Sequence, residues 1–392
     1  MRLRLVAGVI GVFLTSVAVT SGVGCSSTHA SPGAAPPGSL SDAAAGGDGS
    51  SGTTPAPSGC ALGVPSDPEG CIGADAGVET VTSDGTPLLF TFAAPDPATG
   101  DWQSSDGSVV AQIFYASADA SWEANVLTAF DQPDAAPLAV LKGAPTSCTA
   151  MTLSGSGWTA TLQAGHVSLQ NGTETYDLQR VTRASPTLCE APPAGAVTLF
   201  DGTNFDQWGT IVAQNWLATS GPSQWTLMDG GAGGAMQVVP GTASIVTKQS
   251  FGACKIHVEF RTLGTPTHSG VFPEARYQTT VLQTYGLLTG NLTGNFGNES
   301  PVANPTIHAD RPPLVWQTLD IDFRPPAPTE AGATGPVATV QLNGVTIFAD
   351  FAIKPPTGAA SSYGEAATGP ILLEYHGMPL QYRNIWVLPE TP

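Results

Sequence analysis

Titratable and hydrogen-bonding side chains are concentrated in one strand-like segment, HSGVFPEARYQTTVLQTYG, at residues 268–286. It contains His268, Glu274, Arg276 and two glutamines, although only 11% of the residues in the chain are charged. Imidazole and carboxylate groups can exchange protons near neutral pH, and guanidinium and amide groups hydrogen-bond hydroxyl or carbonyl oxygens. The segment is therefore either a binding or catalytic face or an edge strand whose polar residues keep it soluble.

A second group of such residues, Glu374 and His376, lies near the carboxyl terminus in PILLEYHGMPL. With His268, His308 and Glu274 they could bind a metal ion, but no HExxH or CxxC spacing and no regular aspartate-rich loop organises them. The sequence therefore predicts no cofactor and leaves a divalent metal ion open.

The elements that must position these residues show the period-two alternation of β-strands. In CKIHVEFRT, at 254–262, Ile256, Val258 and Phe260 alternate with polar residues, which predicts a strand with one solvated face. WQTLDIDF alternates in the same way, Asn343–Gly344 marks a hairpin turn, and no long segment has a helical period. These patterns predict an all-β domain of two packed antiparallel sheets, a jelly-roll-like sandwich.

A separate pattern of short strands and turn signals covers residues 58–193. It includes HVSLQNGTETYDLQ, in which Asn-Gly lies between two alternating segments. This pattern predicts a small antiparallel β-barrel or sandwich. The stretch RASPTLCEAPPAGAV marks its end, and the second domain is predicted over residues 194–392.

The amino terminus has the features of an export signal. Arg2 and Arg4 precede the apolar run LVAGVIGVFLTSVAVT, which is shorter than the roughly 20 residues of a membrane-spanning helix. Cys25, after small residues, is typical of the lipid-bearing cysteine of a bacterial lipoprotein; ordinary secretion is the alternative. We predict a signal peptide at 1–25 and a disordered Ser/Gly/Ala/Pro tether at 26–57. The mature protein is then predicted to be an exported lipoprotein with a lipid anchor, associated with the outer membrane or the periplasm.

Cysteine usage agrees with export, because disulfides persist in oxidising compartments. Four cysteines precede the second domain and are predicted to form two disulfides: Cys60, Cys71, Cys148 and Cys189. Three pairings are open, of which Cys60–Cys71 with Cys148–Cys189 is the most local. Cys254 is left over and is predicted to be a buried free thiol.

The charge of the chain restricts its partners. Lys and Arg number 13 against 31 Asp and Glu, which gives a formal net charge of −18. Such a surface repels phosphate backbones, so nucleic acid is excluded as a partner, whereas a neutral sugar is not repelled.

Residues 194–392 resemble the 3-keto-disaccharide hydrolase family. Seven motifs occur in the family's order: VTLFDGTNFDQW, CKIHVEFRT, HSGVF, YQTTVLQTYG, WQTLDIDF, VQLNGV and GPILLEYHGMPLQYRNIWV. The resemblance implies a concanavalin A-like jelly roll, and the junction RVTRASPTLCEAPPAGAVTLFDG is similar to that of two-domain members with a small β-domain in front. It also implies a substrate that is an oxidised di- or oligosaccharide or glycoside, in which the C3 hydroxyl has become a ketone.

A ketone at C3 makes the C2 proton acidic, so a base can remove it, the C1 substituent can leave, and water can add back. The site then needs a base near C2, an acid or metal at the departing or enolate oxygen, and a hollow for a pyranose ring.

The resemblance makes the strand face with Gln278 and Thr280 the open, concave one. Four residues are predicted as catalytic, the first two as candidate bases and the others as alternates: Glu274, His376, His268 and Glu374. Five residues are predicted to contact the sugar, the last by stacking: Arg276, Gln278, Thr280, Gln283 and Trp316. The structural alternatives are an exposed Glu274–Arg276 ion pair, a turn histidine at 376 and a core tryptophan at 316.

The site strand departs from the family pattern at three positions where Glu, Gln and Asp are typical: Gln278, Thr280 and Gln283. Before the retained His376, Glu374 and Tyr375 stand where Gln and Asp are typical. An amide cannot take up a proton at neutral pH, so these departures favour a non-catalytic, lectin-like lipoprotein. His376 and Glu274 favour a glycoside-cleaving enzyme, which is the leading prediction, with the lectin-like lipoprotein as the alternative.

Overall fold

The structure is a computed structural model, and it describes residues 79–81, 89–91, 96–116, 120–133, 136–213, 215–228, 233–264, 267–297, 303–329, 332–354 and 362–390. The predicted signal peptide at 1–25 with Cys25, the tether at 26–57, and Cys60 and Cys71 lie outside these residues. Within them, no helix has the length and apolar character needed to cross a lipid bilayer.

The first part of the described chain forms an antiparallel barrel. Strands Glu79–Val81 (β1) and Leu89–Thr91 (β2) pair with each other. The next strands are Gly100–Ser104 (β3), Val110–Ala116 (β4), Ser121–Leu127 (β5), Ala139–Ser147 (β6), Ala150–Gly155 (β7), Trp158–Gln163 (β8), His166–Asn171 (β9) and Glu174–Val181 (β10). They close in the order β10-β3-β4-β5-β6-β7-β8-β9. Buried side chains that include Trp102, Leu141 and Met151 fill the barrel, so the predicted small β-domain is confirmed as a barrel.

The second part forms a sandwich of two antiparallel sheets. Its early strands are Val197–Phe200 (β11), Trp208–Val212 (β12), Asn215–Gly221 (β13), Thr226–Met228 (β14), Ala235–Gln237 (β15), Ile245–Phe251 (β16), Cys254–Thr262 (β17), His268–Phe272 (β18) and Thr279–Leu282 (β19), with a 3₁₀ turn at Pro273–Ala275. Its later strands are Gln317–Arg324 (β20), Ala327–Thr329 (β21), Gly332–Thr334 (β22), Val337–Leu342 (β23), Val345–Ala352 (β24), Gly369–Leu373 (β25) and Leu380–Pro389 (β26).

The larger sheet, called sheet A, has the order β14-β15-β26-β17-β20-β23-β24, with β11 also paired to β26. The smaller one, sheet B, has the order β13-β12-β16-β25-β18-β19. Inward-facing residues such as Phe260, Ile321 and Leu373 form one continuous core between them. This arrangement confirms the predicted all-β jelly-roll sandwich. Full burial of each such side chain stabilises the fold by about 1.5–3 kcal/mol.

The hairpin predicted at Asn343–Gly344 is confirmed. Both residues connect β23 to β24 with positive φ angles of 54° and 77°. A two-residue turn with both φ values positive matches the twist of the flanking strands, and Asn-Gly is the pair best suited to it.

A segment at 185–190, called the linker, joins the barrel to the sandwich and lies on the outer face of sheet A. The Ser185 hydroxyl is 2.6 Å from the Thr318 hydroxyl, and the Thr187 hydroxyl donates to Asp320 at 2.8 Å. The Cys189 backbone N–H donates to a Glu259 carboxylate oxygen at 2.5 Å. The linker therefore covers the polar side of β17 and β20.

The predicted solvated face of β17 is consequently wrong. His257 and Glu259 are fully buried beneath the linker. Arg383 Nε donates to Glu259 at 2.7 Å, and His257 Nδ1 is 2.6 Å from Asp320. Trp386 stacks on the His257 ring at a centroid distance of 5.0 Å. These contacts satisfy charges that would be costly to bury alone.

The chain directly after the predicted site strand is held by the barrel. Tyr285 donates its hydroxyl to Asp101 at 2.9 Å and packs edge-on against Phe114. Asn125 donates to the backbone carbonyl of Gly286 at 2.7 Å. A Cβ at Gly286 would lie 2.2 Å from the Phe114 ring, so only glycine permits this contact.

Cys148 and Cys189 are disulfide-bonded, and the predicted pairing of the four amino-terminal cysteines stays a prediction. Cys254 is a free, buried thiol, as predicted.

The buried His257 predicts a fall in stability at alkaline pH. Burial alone would lower the pKa of His257, but its hydrogen bonds and charge interactions with Asp320 and Glu259 outweigh this and raise the pKa to about 9. Because the folded pKa exceeds the unfolded value, the stabilisation is complete below about pH 6.5 and is lost as the pH rises through about 9. We expect the free energy of unfolding, measured in urea, to fall by on the order of 3 kcal/mol over this range.

His257→Gln should flatten that dependence, and the exposed His166→Gln should leave it unchanged. An equal slope in His257→Gln and wild type would contradict the prediction.

Candidate functional site

Strand pairing brings the two polar segments of the sequence together on the outer face of sheet B. β18 lies between β19 and β25, with His268 opposite Leu282 and Val271 opposite Leu373. The Glu374 N–H donates to the Gly270 carbonyl at 3.0 Å, so Glu374 continues the β25 ladder by one residue. Because side chains alternate between the faces of a sheet, Val271 and Leu373 enter the core while His268 and Glu374 face outward.

Four side chains then meet, and we call them the Glu374 cluster: His268, Gln278, Glu374 and His376. Gln278 Nε2 donates to Glu374 Oε2 at 3.1 Å. His268 Nε2 lies 3.9 Å from the same oxygen. The His268 and His376 rings stack with centroids 3.9 Å apart. The structure thus joins three of the four predicted catalytic residues to one predicted binding residue.

The backbone beneath this cluster is fixed from the sandwich interior. Ser269 donates its hydroxyl to the Glu374 carbonyl at 2.6 Å, and its oxygen is 2.7 Å from the Tyr382 hydroxyl. Gln278 also packs closely against a glycine, since a Cβ at Gly297 would lie 2.6 Å from its side-chain oxygen. Neither Ser269 nor Tyr382 is predicted as a site residue from the sequence, and only their inward positions on alternating strands could have indicated them.

The electrostatics of the cluster suit proton exchange. Burial raises the pKa of Glu374 to about 7, although the hydrogen bond from Gln278 opposes the rise. Burial and then the charge of His376 lower the pKa of His268. At neutral pH Glu374 is therefore present in both protonation states, next to a neutral imidazole whose side chain is 42% exposed.

Glu274 and Arg276 lie apart from this cluster and are buried. They are only 1% and 5% exposed, so the alternative of an exposed ion pair is wrong. Arg276 donates to the Gly364 carbonyl at 2.8 Å, and its Nη1 is 3.8 Å from Glu274 Oε2. A Cβ on Gly369 would lie 2.8 Å from the Glu274 backbone. Gly369 precedes Glu374 by five residues, which is about 16 Å along a strand. Because Glu274 packs against Gly369, it lies far from Glu374 and from the other predicted catalytic residues around it.

Glu274 is held in an unusual state. Its φ of 55° is in the left-handed region, and both carboxylate oxygens are buried without a hydrogen-bond partner among the described residues. Burial raises its pKa to about 7 against the opposing charge of Arg276. The carboxyl group does not reach the protein surface, where a glycoside would bind.

Of the three remaining predicted sugar contacts, Thr280 and Trp316 are buried and Gln283 is half-buried. Thr280 is 3% exposed and donates to Asn295 Oδ1 at 2.8 Å, since the chain at 292–297 lies along β19. Gln283 accepts a hydrogen bond from Thr262. Trp316 is 3% exposed, with the Arg383 guanidinium 4.1 Å from its ring centroid, so it is a core residue rather than a platform. The face predicted to be open is therefore covered at Gln278 and Thr280, and accessible at His268 and His376.

One group among the described residues has a geometry that could hold a metal ion: Glu190, His257 and Asp320, with ligand atoms within 4.8 Å of one another. The raised pKa of His257, about 9, keeps its imidazole protonated at neutral pH. A protonated imidazole has no lone pair for a metal, so these residues fit an ion pair better than a metal site.

Comparison with known proteins gives a family match. Residues 195–388 match the family described as 3-keto-alpha-glucoside-1,2-lyase-like domain. One similar solved structure is a "putative glycosyl hydrolase" from Parabacteroides distasonis, 27% identical, covering 50% of this chain and 85% of that chain with a TM-score of 0.43. Another of the same description and organism is 17% identical, covering 50% and 99%, with a TM-score of 0.35. No curated protein matches the chain.

The environment of Glu374 predicts its titration. We expect an apparent pKa of about 7 for Glu374 by carboxyl carbon NMR. The hydrogen bond from Gln278 stabilises the charged carboxylate, so its removal in Gln278→Leu should raise that pKa further. Gln341→Leu, on β23 of sheet A, is the matched control and should not change it. A lower or unchanged pKa in Gln278→Leu would contradict this account.

Proposed function

Residues 195–388 form a domain of the 3-keto-alpha-glucoside-1,2-lyase-like family, and from this membership and the Glu374 cluster we propose that the protein cleaves 3-keto-glycosides at the anomeric carbon. The family supports a glycoside hydrolase-like function, and the 3-keto substrate is the finer part of the proposal. The observation that carries it is the Glu374 carboxyl group, with a pKa of about 7, 3.9 Å from His268 Nε2 at a partly exposed site.

The proposed reaction begins with proton removal. Glu374, as the carboxylate, takes the proton from C2, and the electron pair of that bond is delocalised onto the C3 ketone as an enolate. The enolate then expels the C1 substituent, which leaves a C1–C2 double bond. Glu374 then passes this proton, through a neutral imidazole of the His268–His376 pair, to the departing oxygen, which restores both the carboxylate and the imidazole. Water adds its hydroxyl at C1 and its proton at C2, and the net change is hydrolysis.

Gln278 supports this assignment. The resemblance places Glu at position 278 and Gln at position 374 in typical family members. This chain has the reverse, and the two side chains hydrogen-bond each other at 3.1 Å. A carboxyl–amide pair is therefore present with its members exchanged between strands. The site therefore keeps one carboxyl group, that of Glu374, although position 278 carries an amide.

A chromogenic 3-keto-glucoside tests the proposal. Glu374→Gln should lower kcat/KM by about 10²-fold or more, the usual contribution of a positioned acid or base. Gln278→Glu combined with Glu374→Gln should recover at least about tenfold of that loss, because it restores one carboxyl group to the pair. His376→Ala should also slow release, whereas Glu274→Gln should change it little because Glu274 lies apart from the cluster.

Full release by Glu374→Gln would remove the proposed base. A double variant no faster than Glu374→Gln would show that the two positions are not interchangeable. Loss of release in Glu274→Gln, with the fold intact by circular dichroism, would move the chemistry to that residue.

A non-catalytic carbohydrate-binding protein is the second candidate. The amides of Gln278 and Gln283 stand where carboxyl groups are typical of the family, which favours this candidate because an amide can hydrogen-bond a sugar but cannot take up a proton. Measurable binding of the 3-keto-glucoside without release of its chromophore would establish this function in place of cleavage.

We also propose that the protein is exported and anchored by lipid at Cys25, which supports a role on extracellular or periplasmic glycans. In cells fed a labelled fatty acid, we expect label in the wild-type protein and none in Cys25→Ser, which should be found in the soluble fraction. Equal labelling of both proteins would contradict the anchor, and Cys254→Ser is the control for cysteine loss.

A further inference from the structure

A cavity of about 600 Å³ lies between the barrel and the sandwich. Residues of β4 and β5 and of the loop after β5 form one wall, and residues 288–292 and 304–308 form the other. None of the four residues of the Glu374 cluster lines it. We call it the joint cavity, and its size is in the usual range for small-molecule sites.

The walls of the joint cavity are held in place by hydrogen bonds. Asn304 donates to the Gly290 carbonyl at 2.7 Å and accepts from the Leu292 N–H at 3.1 Å, which ties the two sandwich segments together. Pro133 and Ile307 form a β-bridge across the joint. The cavity is therefore preformed, and a ligand would not have to order these segments on binding.

The charge at the cavity wall is neutralised. Asp131 is its one acidic lining residue among those described, and it accepts from Arg183 Nη1 at 2.7 Å and from Arg311 Nη1 at 3.2 Å. An acidic group paired to two guanidinium groups attracts a cation weakly, and the bound arginines are already engaged. The cavity is thus unsuited to ions, although the whole chain carries −18.

The other lining groups suit a hydroxylated, uncharged ligand. Gln132, Thr289 and Thr306 offer amide and hydroxyl groups. His308 Nδ1 lies 2.8 Å from the Leu287 carbonyl and must donate to it, so Nε2 is the ring nitrogen available to a ligand. Leu288, beside them, provides an aliphatic surface. Sugars combine hydroxyl edges with C–H faces, so this lining matches their chemistry.

We propose that the joint cavity is a second carbohydrate-binding site, which takes a short neutral oligosaccharide independently of the Glu374 cluster. It rests on the carbohydrate function proposed above and extends it to the barrel. In this assignment the barrel contributes one wall of a glycan-binding site.

Binding of maltotriose, cellotriose and laminaritriose to the full chain, measured by calorimetry, tests the site. Thr306→Trp should fill the cavity and weaken binding of the bound trisaccharide by about tenfold or more, and Gln132→Ala should weaken it in the same direction. Both residues are exposed, so the substitutions should not prevent folding. Thr175→Trp, at an exposed threonine of β10 outside the cavity, is the matched control.

Glu374→Gln should bind the trisaccharide as wild type does. Binding that is weakened by Glu374→Gln and unchanged by Thr306→Trp would overturn the inference, as would no binding of any of the three sugars. Intact cleavage of the 3-keto-glucoside alongside either result would leave the proposed function standing. Cavity-dependent binding by a protein that does not cleave would support the inference and remove the cleavage activity.

Discussion

The candidate site depends on the position of β18 between β19 and β25. Gln278 and Glu374 are 96 residues apart in the chain, and antiparallel pairing on both sides of β18 brings them within hydrogen-bonding distance. A slip of one residue in either ladder would exchange the core and outer faces of a strand. The apolar packing of Val271 and Leu373 opposes such a slip, so the sandwich core also sets the geometry of the polar cluster.

Much of this arrangement could be predicted from local patterns. Period-two alternation predicts β17 and β20, and Asn343–Gly344 predicts a turn, because these features depend on neighbours in the chain. The assignment of His268 and His376 to one site rests on the resemblance of their motifs to those of the 3-keto-disaccharide hydrolase family. The exchange of carboxyl and amide between 278 and 374 was not visible, since each strand taken alone shows only a departure from the family pattern.

The errors of prediction have a common physical cause, which is cover by segments distant in sequence. His257 and Glu259 were expected in water and are buried by the linker. Thr280 was expected on an open face and is covered by the chain around Asn295. Trp316 was offered as a platform and is packed with Arg383. Alternation shows which side chains share a face, but only the tertiary fold decides which face meets solvent.

The contact of Tyr285 with Asp101 and Phe114 limits how this architecture can change over evolution. A gene fusion or deletion that supplied the sandwich without its barrel would expose the Tyr285 ring to water and remove the barrel groups that hold Tyr285 and Gly286 in place. The two halves are therefore expected to be inherited together. Recombination at the boundary would be selected against even if the strands of the sandwich were all retained.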